Sequence, residues 1–194
     1  MKIMAISRAS ALGYGLGLAL ATLGTSCVSD GELDEQVGST SSEIVINTNA
    51  SYTLLGVQSN KCVGIQGAST ASTAPLDIET CSNTANQRFR PEAMGGGFFR
   101  LRNELSRLCV DVSGAQLGNG AAVIQFTCGT QLNQQWSFTD VAGGAERVTA
   151  RHSGGVLDVT AQATADGTLL EQFASNNGTN QRFVMTPALP AITR

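Results

Sequence analysis

Three pairs of carboxamide side chains recur in this 194-residue chain, and their regular spacing suggests a shared role. Asn86-Gln87, Asn133-Gln134 and Asn180-Gln181 recur at a spacing of 47 residues. A carboxamide donates and accepts hydrogen bonds at once, which suits recognition of a polar ligand. Equal spacing, found twice, indicates an internal repeat that dictates the fold. After one intervening residue, each pair is followed by an aromatic residue: Phe89, Trp136 and Phe183.

Catalytic chemistry finds little support among the other side chains. Catalysis by paired carboxylates or by Ser-His-Asp requires a pocket with perturbed pKa values. The single histidine, His152, stands beside Ser153 and two glycines and is interpreted as a loop residue. The carboxylates are scattered through the repeat, and no stretch remains for a catalytic domain. We therefore expect no enzyme activity, no metal site and no cofactor.

The repeat register extends through the whole folded part without a gap. Three copies of four short strands, separated by Asn, Ser and Gly clusters, are predicted from period-two alternation without helical periodicity. One copy is too small to bury its own apolar face, so the copies must close around a pseudo-threefold axis. The expected class is all-β, with three four-stranded repeats. The predicted shared core is Leu54, Leu101, Val148, Phe89, Trp136 and Phe183.

Four of the five cysteines follow the same register. Cys62 aligns with Cys109, and Cys81 aligns with Cys128. Bridges Cys62–Cys81 and Cys109–Cys128 form the one pairing that treats both repeats alike, and disulfides agree with export. A metal site is the alternative, but no histidine or second close cysteine accompanies these residues.

The N-terminal region has the features of an export signal. Lys2 and Arg8 precede a short apolar run, so residues 1–27 are interpreted as a signal peptide in preference to a buried helix. Cys27 resembles the lipid-attachment cysteine of bacterial lipoproteins, although Gly24 replaces the usual leucine, so lipidation and plain secretion both stay open. Residues 28–43 form an acidic Ser/Gly linker or pro-segment. The domain is expected at 44–187, with repeats at about 44–90, 91–138 and 139–186, followed by a tail over 188–194.

Charge argues against a nucleic-acid partner. Basic and acidic residues balance from Ile44 onward, so the domain lacks the positive footprint that phosphates require. We also expect no membrane contact beyond a lipid anchor at Cys27, and a monomer.

The motifs identify a family resemblance. The chain resembles the ricin B-type lectins, which are β-trefoils whose three repeats each end in a Gln-x-Trp motif. Here that motif stands as Gln87-Arg88-Phe89, Gln134-Gln135-Trp136 and Gln181-Arg182-Phe183, with Phe replacing Trp twice. Cys109-Val110-Asp111-Val112 is a further signature. The resemblance covers residues 46–186 and implies the β-trefoil fold and carbohydrate binding.

The resemblance also implies which residues hold sugar. The family uses an aspartate two residues past the first cysteine position, an aromatic before the second, and the Asn and Gln of the motif. A carboxylate accepts strong hydrogen bonds from hydroxyls, and a ring stacks on the apolar sugar face. The aspartates are expected to face solvent, with Gln125 and Gln172 adding hydroxyl contacts. The implied residues are Asp111, Gln125, Phe126, Asn133 and Gln134 in the second repeat, and Asp158, Gln172, Phe173, Asn180 and Gln181 in the third.

The first repeat is expected to lack a site. Gly64 stands at the aspartate position and Glu79 at the aromatic position, and only Asn86 remains. For the other repeats, a purely structural role is the alternative: Asp111 could be a turn residue and Phe126 a core residue. However, if Val123 points inward, strand alternation makes Phe126 point outward.

The expected function is a non-enzymatic lectin, secreted or anchored at the bacterial cell envelope, that binds galactose-type sugars or a plant or microbial polysaccharide. Two alternatives stay open. One is a trefoil that binds a protein, as a protease inhibitor does, since fold alone permits it. The other is an accessory carbohydrate-binding subunit of a separate glycoside hydrolase.

Overall fold

A computed structural model describes residues 45–188, and the regular structure there consists of β-strands and short 3₁₀ turns. The strands are β1 Tyr52–Gly56, β2 Lys61–Ile65, β3 Leu76–Glu79, β4 Phe89–Gly95, β5 Phe98–Asn103, β6 Cys109–Val112, β7 Ala121–Phe126, β8 Trp136–Val141, β9 Ala145–Ala150, β10 Val156–Val159, β11 Thr168–Phe173 and β12 Phe183–Pro187. The 3₁₀ turns are Gln66–Ala68, Ala85–Gln87, Ser113–Ala115, Leu132–Gln134, Thr160–Gln162 and Thr179–Gln181.

Several sequence predictions concern residues outside this range. The signal peptide over 1–27, the linker over 28–43 and the lipidation of Cys27 lie outside the described residues, as does the tail beyond residue 188. Within 45–188, no helix is long and apolar enough to cross a bilayer.

The strands form because apolar residues recur with the period of a pleated sheet. β1 alternates buried and half-buried residues, with Tyr52 and Leu54 on the inner side. β6 and β10 are buried along their whole length, so both faces of each strand are covered by other parts of the fold. The β4–β5 hairpin turns through Gly95, Gly96 and Gly97, whose φ angles of 82°, 63° and 79° favour glycine.

All strand pairs in the described part are antiparallel and join into one 12-stranded sheet, as the all-β prediction required. The main path runs β10-β11-β3-β2-β1-β12-β9-β8-β5-β6-β7, and β4 pairs with β1 and β5. Pairings β10–β9 and β11–β7 join the ends of this path back to it. Such closure removes free sheet edges that would otherwise template aggregation.

The predicted core is confirmed. Its six residues belong to a single buried cluster, with exposed fractions from 0% for Val148, Trp136 and Phe183 to 3% for Leu101. Trp136 also donates a hydrogen bond from Nε1 to the carbonyl of Val110 over 3.2 Å, so its polar atom is satisfied inside the core.

Both predicted disulfides are present. Cys62 is bonded to Cys81, and Cys109 to Cys128, each over a sequence separation of 19 residues. The third copy has Val156, which is buried, and Ser175 at the equivalent positions, and it folds without a bridge. Each bridge ties β2 or β6 to the segment that follows the neighbouring strand.

Candidate functional site

Two surface grooves lie over the second and third copies of the repeat. We call the first the second-repeat groove; its volume is about 350 Å³, and its lining includes Asp111, Ile124, Phe126, Asn133 and Gln134. The third-repeat groove measures about 340 Å³, and its lining includes Asp158, Glu171, Phe173, Asn176 and Asn180. The structure thus brings together the aspartate, the phenylalanine and the asparagine that the sequence predicted for each site.

A glutamine positions the aspartate in each groove. Gln134 Nε2 donates to Asp111 Oδ2 over 2.8 Å, and Gln181 Nε2 donates to Asp158 Oδ2 over 2.7 Å. The same glutamines accept, through Oε1, the backbone N–H of Gly129 and of Asn176 over 2.7 and 2.9 Å. Each glutamine therefore fixes both the carboxylate and the loop beside it, because all its hydrogen-bonding atoms have fixed partners.

The two asparagines are held less alike. Asn133 Nδ2 donates to the carbonyl of Val112 over 3.0 Å. Asn180 Nδ2 donates to Asp158 Oδ1 over 2.9 Å and to the carbonyl of Val159 over 3.3 Å. Asn180 Oδ1 is buried and has no hydrogen-bond partner among the described residues. A side chain at position 178 would collide with this oxygen, since a Cβ atom built on Gly178 would lie 2.5 Å from it.

The phenylalanines end their strands at the groove rim. Phe126 is the last residue of β7 and is 42% exposed, while Val123 on the same strand is fully buried. Phe173 ends β11 at the equivalent place and is partly exposed. The core interpretation of Phe126 is therefore wrong, because its ring faces out of the fold.

The aspartate carboxylates do not face solvent as expected. Asp111 is 5% exposed and Asp158 is 4% exposed, because each lies on a fully buried strand that packs against the turn carrying its glutamine. Burial raises the pKa of both carboxyls above the ordinary value, and the amides of the neighbouring Gln and Asn residues oppose the rise. A hydroxyl that reaches such a carboxylate meets an acceptor that water solvates poorly.

Gln125 and Gln172 do not belong to the grooves, which corrects the sequence prediction. They are 0% and 1% exposed. Gln125 accepts a hydrogen bond from Ser106 Oγ over 2.6 Å and donates to the carbonyls of Ser69 and Ala71 over 3.0 and 2.8 Å. Gln172 repeats this pattern with Ser153, Gln116 and Gly118. Strand alternation turns both side chains away from the adjacent phenylalanines and into contacts with the preceding copy.

In the first copy a glutamate occupies the place of the missing aspartate. Glu79 Oε2 accepts hydrogen bonds from Asn86 Nδ2 over 2.9 Å and from Gln87 Nε2 over 3.0 Å. A Cβ atom on Gly64 would lie 2.8 Å from that same oxygen, so the absence of a side chain at Gly64 makes room for Glu79. This copy therefore has a carboxylate held by the motif amides but no ring beside it.

Sequence reasoning missed the residues that face the aspartates across the strand pair. Asp111 pairs with Ile124, and Asp158 pairs with Glu171. Both partners line their grooves. Ile124 and Glu171 occupy the same register position of the repeat, so the sequence does show that this position differs between the two copies. It does not show that this position faces the aspartate, because that requires the strand pairing.

Comparisons with known proteins identify the family and the fold. Residues 50–185 match the model of the ricin-type beta-trefoil lectin domain. No curated protein matches the chain. Among solved structures, the designed threefold symmetric protein ThreeFoil is similar at 33% identity and a TM-score of 0.69, over 70% of this chain and 97% of that one.

Two natural proteins are also similar. An exo-beta-1,3-galactanase from Clostridium thermocellum matches at 28% identity and a TM-score of 0.71 over 74% of this chain, which spans 31% of that enzyme. The Rhizoctonia solani agglutinin shares the fold at 19% identity and a TM-score of 0.66, over 75% of this chain and 99% of that one. With the repeated motif, the two grooves and the match over residues 50–185 taken together, the chain belongs to the ricin-type β-trefoil lectin domain family.

Proposed function

We propose that the chain is a non-enzymatic lectin, built from three repeats around a pseudo-threefold axis, that binds sugar through the second-repeat and third-repeat grooves. The observation that carries the proposal is the composition that the two grooves share. Each combines an aspartate held by a glutamine, an asparagine and an outward phenylalanine at the rim.

This composition fits the two surfaces of a sugar. Neighbouring hydroxyls donate to the carboxylate in charge-assisted hydrogen bonds, and the asparagine adds a further polar contact. The C–H face of the sugar packs on Phe126 or Phe173. Because glutamines already hold Asp111 and Asp158, little side-chain ordering is required on binding, which favours affinity.

Both grooves are shallow, so we expect weak binding at each, with a Kd on the order of 1 mM, or about −4 kcal/mol. Two grooves on one rigid body act together on a branched or crowded glycan. If the geometry matches, avidity exceeds single-site affinity by about 10²–10⁴. The ligand that this arrangement favours is a polysaccharide or a cell-surface glycan.

Galactose-type sugars are the first candidates. The solved structure of 28% identity is an enzyme named for hydrolysis of a β-1,3-galactan, and this chain resembles a part of it. Export is part of the proposal, because residues 1–27 have the features of a signal peptide, with Cys27 as a lipid-anchor alternative. A monomer suffices, since both grooves lie on one chain.

The test removes the ring from each groove in turn. Phe126→Ala and Phe173→Ala each delete a partly exposed side chain, so the melting temperature should change little. Titration calorimetry with a multivalent galactoside should lose one site with each variant and all binding with both. Leu105→Ala is the matched control, because Leu105 is 39% exposed and lines neither groove.

A second pair of variants tests the carboxylates. Asp111→Asn and Asp158→Asn keep side-chain volume and remove the charged acceptor. Together they should abolish sugar binding while the chain stays folded. Undiminished binding by the double variant, or a stoichiometry of three per chain, would overturn the assignment to these grooves.

An accessory role beside a glycoside hydrolase is the second candidate. The galactanase match supports it, because this chain resembles about a third of an enzyme that carries further sequence. Adding the chain to a galactanase acting on insoluble galactan should then raise sugar release, and the Phe126→Ala/Phe173→Ala variant should not. No rise with the native chain would rule this role out.

A further inference from the structure

The third-repeat groove contains a second carboxylate that the second-repeat groove lacks. Asp158 on β10 and Glu171 on β11 are direct cross-strand partners, and both line the groove. The equivalent pair in the second-repeat groove is Asp111 and Ile124. One register position thus changes from an apolar side chain to an acidic one between two grooves that are otherwise built alike.

Glu171 has no partner that would explain it as a structural residue. Its backbone pairs with β10 and β7, but its carboxylate has no hydrogen-bond or ion-pair partner within the 45–188 range. Burial, and then the charge of Asp158, raise the pKa of Glu171 above its ordinary value. Two like charges facing each other across a strand pair destabilise the sheet, so the pair is costly without a ligand.

Asn180 lies beside the two carboxylates in the lining of the same groove. Its side chain is 4% exposed, its Nδ2 is used by Asp158, and its Oδ1 lacks a partner in the described part of the chain. Among residues 45–188, no lysine or arginine lines the third-repeat groove. The groove therefore presents the two facing carboxylates of Asp158 and Glu171, which a ligand rich in hydrogen-bond donors would satisfy.

We propose that the third-repeat groove selects a hexosamine with a free ammonium group, while the second-repeat groove binds neutral sugars without this preference. The inference rests on the proposed function, since it names the sugar class of one of the two grooves. An ammonium group supplies three donors and one positive charge, so it bonds to Glu171 and Asp158 together and removes their repulsion. A hydroxyl at the same sugar carbon supplies one donor and no charge.

The same charges reject acidic sugars. A uronic acid would place a third carboxylate beside Asp158 and Glu171, with no cation in the groove to offset it. An N-acetylated hexosamine would lose the charge and place an acetyl group against two carboxylates. A polysaccharide with free amines, such as a partly deacetylated one, is therefore the ligand that fits the third-repeat groove.

The experiment compares four soluble sugars on the full chain, in the presence of a chelator that excludes divalent cations. Backbone amide NMR follows each groove separately, through Thr160 and Asn176 in the third and Gly114 in the second. Galactose measures the binding of a neutral sugar, and galactosamine measures the effect of the ammonium group. N-acetylgalactosamine measures the effect of masking the amine, and galacturonic acid measures the effect of a carboxylate. We expect galactosamine to bind the third-repeat groove about five- to tenfold more tightly than galactose, and the advantage to shrink with added salt.

Two variants assign the effect to one residue. Glu171→Gln keeps the size of the side chain and removes its charge, so it should bring the affinity for galactosamine down to that for galactose in the third-repeat groove. Ile124→Glu makes the reciprocal change and should create an ammonium preference in the second-repeat groove. Circular dichroism of both variants checks that the fold is retained.

The outcomes separate the two proposals. Galactose binding in both grooves without any preference for galactosamine would overturn the hexosamine inference and leave the lectin function standing. A preference that survives Glu171→Gln would overturn the role of Glu171. Absence of binding by all four sugars at both grooves would overturn the lectin function and the inference with it.

Discussion

Asp77→Asn should stabilise the protein at neutral and higher pH. Asp77 lies on β3, is 2% exposed, and has no partner for its Oδ1 in the described range. Burial first, then the charge of Glu79 and a hydrogen bond with it, raise the pKa of Asp77 from 3.8 to about 7. Asp166 adds further negative charge nearby. The carboxyl is therefore best accommodated when protonated.

Proton linkage gives the sign and the size of the effect of Asp77 on the free energy of unfolding. Between pH 4 and 7 the folded chain holds a proton that the unfolded chain has released, so the free energy of unfolding falls as pH rises through this window. One pKa unit corresponds to about 1.4 kcal/mol, so a shift of about three units lowers stability by up to about 4 kcal/mol above pH 7. Total stability is usually only about 5–15 kcal/mol, so the effect is large.

Asparagine removes the titration and keeps the shape of the side chain. Its Nδ2 can donate to Glu79, as the protonated carboxyl does. The variant should therefore match the native chain below pH 4 and exceed its unfolding free energy by about 2–4 kcal/mol at pH 8.

Urea unfolding at pH 4, 6 and 8 measures this effect, with fluorescence of the single, buried Trp136 as the probe. Asp140→Asn is the matched control, because Asp140 is an exposed carboxylate of β8. The charge of Asp140 helps to raise the pKa of Glu146, its cross-strand partner, so the control should gain only a little at pH 8, far less than Asp77→Asn. If Asp77→Asn gives no gain at pH 8, or the same gain at pH 4, the buried protonated carboxyl is refuted.

Three further changes test the core, the bridges and the inward glutamine. Trp136→Ala should lower the unfolding free energy by about 3–5 kcal/mol, seen by circular dichroism in urea, since the ring is fully buried and bonds to Val110; an unchanged midpoint would contradict this. Replacing Cys109 and Cys128 by Ser should lower the unfolding free energy by about 3 kcal/mol. A reductant should lower the unfolding free energy of the native chain by more than that of the double variant, which has already lost this bridge. Gln125→Ala should cost about 1–3 kcal/mol and leave sugar affinity unchanged in calorimetry; a loss of affinity without a loss of stability would return Gln125 to the groove.

The parts of the fold that the sequence predicted are those that depend on position alone. Leu54, Leu101 and Val148 share one register position that is apolar in every copy, and all three residues are in the core. The two disulfides followed from the same argument, because Cys62 and Cys109 occupy equivalent places. Neither inference required knowledge of how any side chain points.

The errors concern side-chain direction relative to a neighbouring copy. Gln125 stands beside Phe126, yet strand alternation sends the two to opposite faces, and the acceptors for Gln125 lie in residues 69–71 of the copy before. Asp111 is buried because its strand packs against the turn Leu132–Gln134, from which Gln134 donates to it, and a contact so distant in sequence is not predicted by any local pattern. Glu79 reaches the aspartate position because Gly64 leaves room there.

The three copies differ most where a residue faces the aspartate position across the strand pair. The cross-strand pairs there are Gly64 with Asp77, Asp111 with Ile124, and Asp158 with Glu171. The core positions Ile65, Val112 and Val159, one residue further along the same strands, stay apolar throughout. Because neighbouring residues of a strand serve opposite faces, the outer pair can change its charge while the inner contacts stay the same. This separation allows one packing scheme to place three different groups at equivalent sites. They are the coupled carboxyls of Asp77 and Glu79 in the first copy, a single aspartate beside an apolar wall in the second, and two facing carboxylates in the third.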